Sequence, residues 1–212
     1  IRLKATRQAR QTREALDTAR LLGKHRAFSA GAAQSIVRGL AIELIQSAHD
    51  PAQLVQIWAS LENSERNMPE LAVQAAQRLA HLGGDPAQVR AWLLPVWERM
   101  VDLPDALAEH HALKLVRALE AGLDDLDAPW LARIESAYQG NPRDARLQYL
   151  AGMACLKRQL WGKAQQLLTQ AAQQLGDSSL RASAWRHLAE LAEKRGDDSA
   201  AAEAWKKAAL GR

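Results

Sequence analysis

Histidine and cysteine are among the side chains of this chain that could ligate a metal or act as a nucleophile. His110 and His111 are neighbours in a predicted helix, so their side chains leave its axis about 100° apart, while His81 and His187 are isolated. No Cys-x-x-Cys-His motif occurs, and no pair of ligands at i and i+4 has a third ligand elsewhere. Cys155 is the only cysteine, and it falls at a position of the predicted helical repeat where the side chain faces a neighbouring helix. We therefore predict that it packs as a small buried hydrophobic residue. The sequence therefore predicts neither a metal site nor a catalytic thiol.

Paired carboxylates are the other group that could carry acid and base chemistry. They occur at Asp124, Asp125 and Asp127 and again at Asp197 and Asp198, and both sets precede predicted helices. Carboxylates at these positions cap helices and offset the helix dipole. The chain also has no Gly-rich phosphate loop and no serine with a plausible histidine and acid near it. These observations predict that the protein is not an enzyme.

The elements that position these side chains are predicted to be helices. Ala, Leu, Gln, Arg and Glu dominate the composition, whereas residues that favour strands are scarce, with one Phe and two Tyr among 212 residues. The seven Trp recur inside helical patterns, as packing residues do. No stretch approaches the roughly 18 apolar residues of a membrane span, and no signal peptide opens the chain. The sequence is therefore expected to be water-soluble and all-α.

An internal repeat organises these helices. Residues 49–54 read His-Asp-Pro-Ala-Gln-Leu, and residues 84–89, which lie 35 positions later, read Gly-Asp-Pro-Ala-Gln-Val. Each copy follows one apolar-periodic segment and precedes another. An Asp followed by Pro is a cap followed by the first residue of a helix, where the missing N–H of Pro costs nothing. Both copies therefore predict a helix start between two packed helices.

The last repeat matches the tetratricopeptide signature in register. It reads Trp185-x-x-Leu188-Ala189 on a first helix and Ala201-x-x-x-Trp205 on a second, with a turn at Gly-Asp between them. Small residues stand where helices approach, and large ones fill gaps. Trp185 and Trp205 are thus predicted to pack within one helical hairpin or against its neighbour.

The repeat predicts an all-α, right-handed superhelical solenoid of antiparallel helical hairpins of the tetratricopeptide kind. Residues 1–212 are expected to form a single helical-repeat domain of about five hairpins, in which 143–212 hold the best-matched repeats and 101–111 the break in regular stacking. The predicted helices cover residues 3–22, 29–48, 51–63, 68–82, 85–101, 105–122, 127–139, 143–158, 161–175, 179–195 and 198–210.

A partner-binding groove is predicted along the first helices of the hairpins, because these helices line the concave side of such a stack. Arg, Tyr and Met are frequent in binding hot spots, so exposed residues of these types suit contact with a protein or peptide. The predicted groove residues are Gln74, Arg78, Arg146, Tyr149, Met153, Lys157, Arg186, Glu190 and Lys194.

Residues 1–28 form a basic leading helix and connection. Eight Arg or Lys stand against two acidic residues in positions 1–26, which gives +6 for this segment of a chain whose net charge is +4. A solvated helix face accounts for this charge, but a phosphate-rich surface would also attract it. The alternative function is therefore a nucleic-acid-binding or regulatory helical-repeat protein.

The chain opens inside this helix without a Met, which predicts a piece of a longer protein. The first helix then lacks its hairpin partner, and Trp205, Ala208 and Ala209 lack a capping helix at the other end. Because each repeat needs a neighbour to bury its face, self-association as a homo-oligomer is expected at high concentration.

Two segments resemble a known family. Residues 160–164, Leu-Trp-Gly-Lys-Ala, with the amphipathic helix after them, and residues 14–22, Glu-Ala-Leu-Asp-Thr-Ala-Arg-Leu-Leu, leading to Lys24-His25, resemble the C-terminal part of the HemY family. HemY proteins are proteobacterial tetratricopeptide proteins linked to haem biosynthesis. The resemblance covers essentially the whole chain, and its distinctive part is the Leu-Trp-Gly-Lys-Ala run.

The resemblance implies a pathway and a location. It implies a late step of haem (porphyrin) formation, enzymes of that pathway as partners, a missing N-terminal anchor in the inner membrane and a repeat domain facing the cytoplasm. It implies no active site, because the family has no catalytic motif to carry over to this chain. Direct haem binding through His, Cys155 or Met is a further idea, but no haem-ligand motif favours it, so no cofactor is expected.

Overall fold

The computed structural model describes residues 2–25, 29–103 and 107–211, and within these ranges the chain forms helices and no strands. The prediction of an all-α protein is therefore confirmed. The helices are α1 (Arg2–Lys24), α2 (Ala30–Gln46), α3 (Pro51–Ser60), α4 (Asn63–Arg66), α5 (Pro69–His81), α6 (Pro86–Asp102), α7 (Glu109–Ala121), α8 (Ala128–Gly140), α9 (Ala145–Lys157), α10 (Trp161–Gln174), α11 (Ser178–Lys194) and α12 (Asp198–Leu210).

Aspartate caps start many of these helices, as the sequence predicts. The carboxylate of Asp50 accepts a hydrogen bond from the backbone N–H of Gln53 at the start of α3, and Pro51 is the first helical residue. Asp127 and Asp197 cap α8 and α12 in the same way. Since these carboxylates satisfy N–H groups that lack a partner inside the helix, they are structural.

The structure departs from the predicted helices in two places. The predicted helix 51–63 ends at Ser60, and the short α4 follows after an extended Leu61. Glu62 and Glu65 form a capping box, in which each side chain accepts from the backbone of the other residue. Because the capping box starts the new helix α4, the predicted helix 51–63 is divided in two. The predicted helix 105–122 also begins too early, because Leu107 is not helical and Ala108 is the N-cap of α7, which starts at Glu109.

Contacts divide the chain into two compact units, Ile1–Leu107 and Ala108–Arg212, and the boundary falls within the predicted break at 101–111. In the first unit, α1 packs on α2, α2 on α5 and α5 on α6. The indoles of Trp58 and Trp92 stack with ring centroids 4.8 Å apart, and both side chains are buried. Arg20 of α1 binds Glu65, whose side chain is only 3% exposed, through contacts of 2.6 and 2.8 Å.

In the second unit, α9 packs on α10 and α11 on α12, as the two best-matched repeats predict, while α10 also packs on α11 and α8 on α9. Gly152 permits the close approach of α9 to α10. A Cβ at this position would lie 2.9 Å from Cγ and Cδ2 of Leu168. The small residue of the repeat pattern therefore stands where two helices meet most closely.

Candidate functional site

The second unit contains a groove of about 540 Å³. Side chains of α7, α9 and α11 provide most of its lining, and the turn from α9 into α10 closes one side. These three helices correspond to the first helices of the three hairpins that the sequence predicts in this unit. Its lining mixes apolar side chains with both signs of charge.

Four of the nine predicted groove residues line this groove, namely Met153, Lys157, Glu190 and Lys194. Lys157 lies at the end of α9 and pairs with Asp124, with 2.5 Å between Nζ and Oδ1. Glu190 and Lys194 lie one turn apart on α11 and are both exposed. The structure brings these four residues together around one surface.

Tyr149 and Met153 are buried, so the prediction that both are exposed for contact with a partner is wrong. Tyr149 is 0% and Met153 2% exposed, because this part of α9 packs between other helices. The hydroxyl of Tyr149 donates to Oγ of Ser183 on α11 at 2.9 Å, and burial raises the pKa of the phenol. Tyr149 therefore joins two helices, while Met153 still reaches the groove lining.

The remaining predicted residues do not line this groove. Arg146 is half-buried and binds Asp144 through two contacts of 2.8 and 3.0 Å, and Arg186 is exposed. Gln74 and Arg78 lie on α5 in the first unit, where both are half-buried. The guanidinium of Arg78 donates to the backbone carbonyl of Ala48 at 2.6 Å, which indicates a structural role.

A histidine between two carboxylates is the part of the groove that the sequence analysis missed. Nδ1 of His187 lies 3.2 Å from Glu190 Oε2, and Nε2 lies 3.9 Å from Glu120 Oε1. Glu120 and then Glu190 raise the pKa of His187, while burial opposes them. Ser183 also donates to Glu120 at 3.4 Å. The i, i+3 spacing of His187 and Glu190 on one helix was the available signal, whereas Glu120 is 67 positions away in the chain.

The cations of the groove differ in how they are paired. Arg117 binds Asp177 at 2.8 Å, and Lys157 binds Asp124 as described above. Lys194 instead places its ammonium 5.0 Å from the centroid of the Trp161 ring. Among the residues that the structure describes, Lys194 has no carboxylate partner. Trp161 is 41% exposed, so an aromatic surface and an unpaired cation stand together at this point of the groove.

The candidate ligands of the sequence analysis remain dispersed. Cys155 is buried and its pKa is raised by burial, as expected of the small buried hydrophobic residue predicted at this position. The rings of His110 and His111 touch, with centroids 3.8 Å apart, although consecutive side chains leave a helix about 100° apart. Across residues 2–25, 29–103 and 107–211, no group of three or more His, Cys, Asp or Glu is placed to hold a metal ion. In the same ranges, no helix is both long and apolar enough to cross a membrane.

The first unit has a second groove, of about 440 Å³, between α1 and α2. Its lining is almost wholly apolar and includes Ala15, Leu22, Ile36 and Leu40, with Glu14 at its edge. Leu22 and Ile36 are 38% and 42% exposed, although they are large apolar residues. This surface belongs to α1, which the sequence predicts to lack a hairpin partner.

No protein-family model matches the chain, and no curated protein sequence matches it.

Proposed function

We propose that the chain is a non-enzymatic scaffold that binds a protein or peptide partner in the groove of its second unit. One observation carries this proposal: apolar and charged side chains converge on a groove lined by the first helices of three successive predicted hairpins. Tetratricopeptide-like hairpins use that same side to hold partners. The exposed indole of Trp161 supplies the aromatic contact that is enriched in binding hot spots.

The proposed absence of catalysis is supported by how the polar groups of the groove are engaged. Both ring nitrogens of His187 face carboxylates, Glu190 at 3.2 Å and Glu120 at 3.9 Å. The buried hydroxyl of Tyr149 has a raised pKa, which disfavours the phenolate. Each of these groups therefore suits positioning and charge balance better than a reaction.

The pathway that we propose is a late step of haem biosynthesis at the inner membrane, with the repeats facing the cytoplasm. This part rests on the resemblance of residues 14–22 and 160–164 to the HemY family. The partners would be enzymes of that pathway. Under this proposal the chain positions these enzymes and binds no cofactor of its own.

Nucleic-acid binding through the leading helix is the alternative. Much of the described charge of α1 is already balanced within the first unit, because Arg10 pairs with Glu14 and Arg20 with Asp17 and Glu65. Lys24 lies 3.9 Å from Glu62. A phosphate backbone would have to compete with these carboxylates, and its binding would weaken steeply with salt.

Co-purification from a proteobacterial cell tests the proposed function. The tagged chain is compared with Trp161→Ala, which changes the exposed aromatic surface of the groove, and with Arg133→Ala, which changes a residue outside its lining. We expect proteins that co-purify with the parent and with Arg133→Ala but not with Trp161→Ala, and enzymes of haem synthesis among them. Retention of every captured protein by Trp161→Ala would exclude the groove. Loss of capture without haem enzymes in the set would exclude the pathway alone.

A further inference from the structure

Lys194 marks the one point of the groove lining where a described cation lacks an anion. It lies in the last turn of α11, where a positive charge favours the helix dipole, and its ammonium rests 5.0 Å from the Trp161 ring. Arg117 and Lys157 each have a carboxylate at 2.8 Å or less. A ligand anion could therefore bind Lys194 without breaking an ion pair of the protein.

The carboxylates of the same lining, unlike Lys194, all have partners of the protein. Asp124 is paired with Lys157, and Glu120 and Glu190 flank His187 on its two sides. A basic ligand would have to displace one of these contacts, whereas an anion that binds Lys194 displaces none. The unpaired ammonium of Lys194 therefore favours an acidic group at this point of the groove.

Apolar surface lies next to Lys194. Trp161 is 41% exposed and Leu156 is half-buried, while Leu191 and Met153 contribute to the lining from buried positions. When a carboxylate of the ligand contacts Lys194, the adjacent side chain of the ligand lies close to this apolar surface. Burying a large apolar side chain there would provide most of the affinity, and the charge pair would provide the selectivity.

We propose that the groove recognises a polypeptide segment in which an Asp or Glu stands beside a large apolar side chain. The carboxylate pairs with Lys194, and the apolar side chain packs against Trp161. This inference rests on the proposed function of the groove as a protein-binding surface and adds the chemistry of the partner.

Selection from a phage library of short random peptides tests this inference. The peptides are fused to the coat protein through their C-termini, so that a carboxylate in the selected segment comes from a side chain. Selection on the whole chain should enrich Asp or Glu next to Leu, Ile, Phe or Trp. For a synthetic copy of such a peptide, Lys194→Glu should weaken binding about tenfold, because it removes a charge pair and adds a like charge.

Matched variants separate charge from folding. Lys194→Arg keeps the positive charge and should change affinity less than about threefold, which is well below a tenfold loss. Lys206→Glu reverses an exposed lysine on α12 that is outside the groove lining, and it should leave binding unchanged. Circular dichroism of each variant confirms that the helices are retained.

The outcomes distinguish the inference from the function on which it rests. Acidic and apolar peptides whose binding depends on Lys194 and Trp161 support both. Basic peptides that depend on Trp161 would overturn the acidic chemistry and leave a protein-binding groove. If no peptide is enriched, or if the enriched peptides are indifferent to both Trp161→Ala and Lys194→Glu, the groove is not a peptide site and both proposals fail.

Discussion

The grooves of the two units differ in what lines them and where each unit places its charges. The groove between α1 and α2 is lined mainly by Ala, Leu and Ile, with Thr18 and Glu14 as its polar residues, and the first unit instead buries a charge pair between Arg20 and Glu65. The groove of the second unit carries its charges on the lining itself. An apolar stripe on two helices is enough to produce the first kind of groove, but it selects only for hydrophobic area. Charges on a lining can also reject a wrong partner, which supports our proposal that the second unit recognises the partner.

The largest expected effect concerns the buried charge pair of the first unit. Glu65→Ala should destabilise that unit by about 3 kcal/mol, because it leaves Arg20 without its main partner in a poorly solvated place. It also removes the acceptor for the backbone N–H of Glu62. Urea unfolding followed by circular dichroism measures this loss.

The matched control for that prediction is a solvent-exposed ion pair on α1, the helix that also carries Arg20. The side chains of Arg10 and Glu14 are 83% and 67% exposed, so Glu14→Ala should change stability by less than about 0.5 kcal/mol. Equal effects of the two substitutions would mean that the first unit does not depend on its buried pair.

The close contact of α9 with α10 gives the next effect, in the second unit. Gly152→Val should cost about 2 kcal/mol, because the added side chain overlaps Leu168 and forces the two helices apart. Gly162→Val is the control, since a Cβ at Gly162 meets nothing within 4 Å. Thermal unfolding of both variants decides the matter, and a Gly152→Val protein as stable as Gly162→Val would show that α9 and α10 are not tightly packed.

The charged groove predicts a pH dependence that the apolar groove does not. The pKa of His187 is raised in the folded state above the ordinary value of 6.5, so the folded state binds its proton more tightly. Its stabilising contribution is fully present below pH 6.5 and is lost as the pH rises through the raised pKa. The melting temperature of the parent should therefore exceed that of His187→Gln most at pH 6, and the difference should shrink by pH 8.

His81→Gln, at an exposed histidine of α5, is the comparison for this series. This variant shows how much of the effect comes from removing any imidazole, without the two neighbouring carboxylates. A stability difference between the parent and His187→Gln that grows with pH would contradict the role given to Glu120 and Glu190.

The smallest expected effect concerns the apolar groove. Ile36→Ser should cost about 1 kcal/mol, because this side chain is 42% exposed and only part of its apolar area is removed from water. The same substitution should lower the fluorescence of a bound hydrophobic dye. Leu44→Ala, at a buried residue of the same helix, should instead cost about 3 kcal/mol. If Ile36→Ser costs as much as Leu44→Ala, the groove is part of the core.

The helices could be predicted from the sequence because their signals are local. Apolar periodicity and an Asp before the first turn define most boundaries, as at Asp50 and Asp85. The break after Ser60 could not be predicted in this way. Glu65 serves both the capping box and Arg20, which is 45 positions away, and that long-range contact has no signal in either segment.

The groove could be assigned to three helices but not to its individual side chains. Helical spacing places Lys157, Glu190 and Lys194 on exposed faces, and it cannot show that Tyr149 is enclosed by a second helix. Trp205 packs within its hairpin as the repeat predicts, since its indole N–H donates to Glu193 of α11 at 2.7 Å, but the repeat did not indicate that 38% of the residue stays exposed. Which side chains are exposed therefore depends on how the helices pack and cannot be predicted from the repeat alone.

The position of the tryptophans makes the two units optically different. Trp58, Trp92 and Trp97 in the first unit are all buried, whereas Trp161 and Trp205 in the second unit are among the exposed large hydrophobic residues. Indoles shielded from water emit at shorter wavelengths than those in contact with it. The red edge of the emission spectrum therefore belongs mainly to the second unit, and Trp161 contributes to it from directly beneath an ammonium group. A ligand that covers this indole would shift that emission to the blue, so the protein carries its own optical probe of the groove.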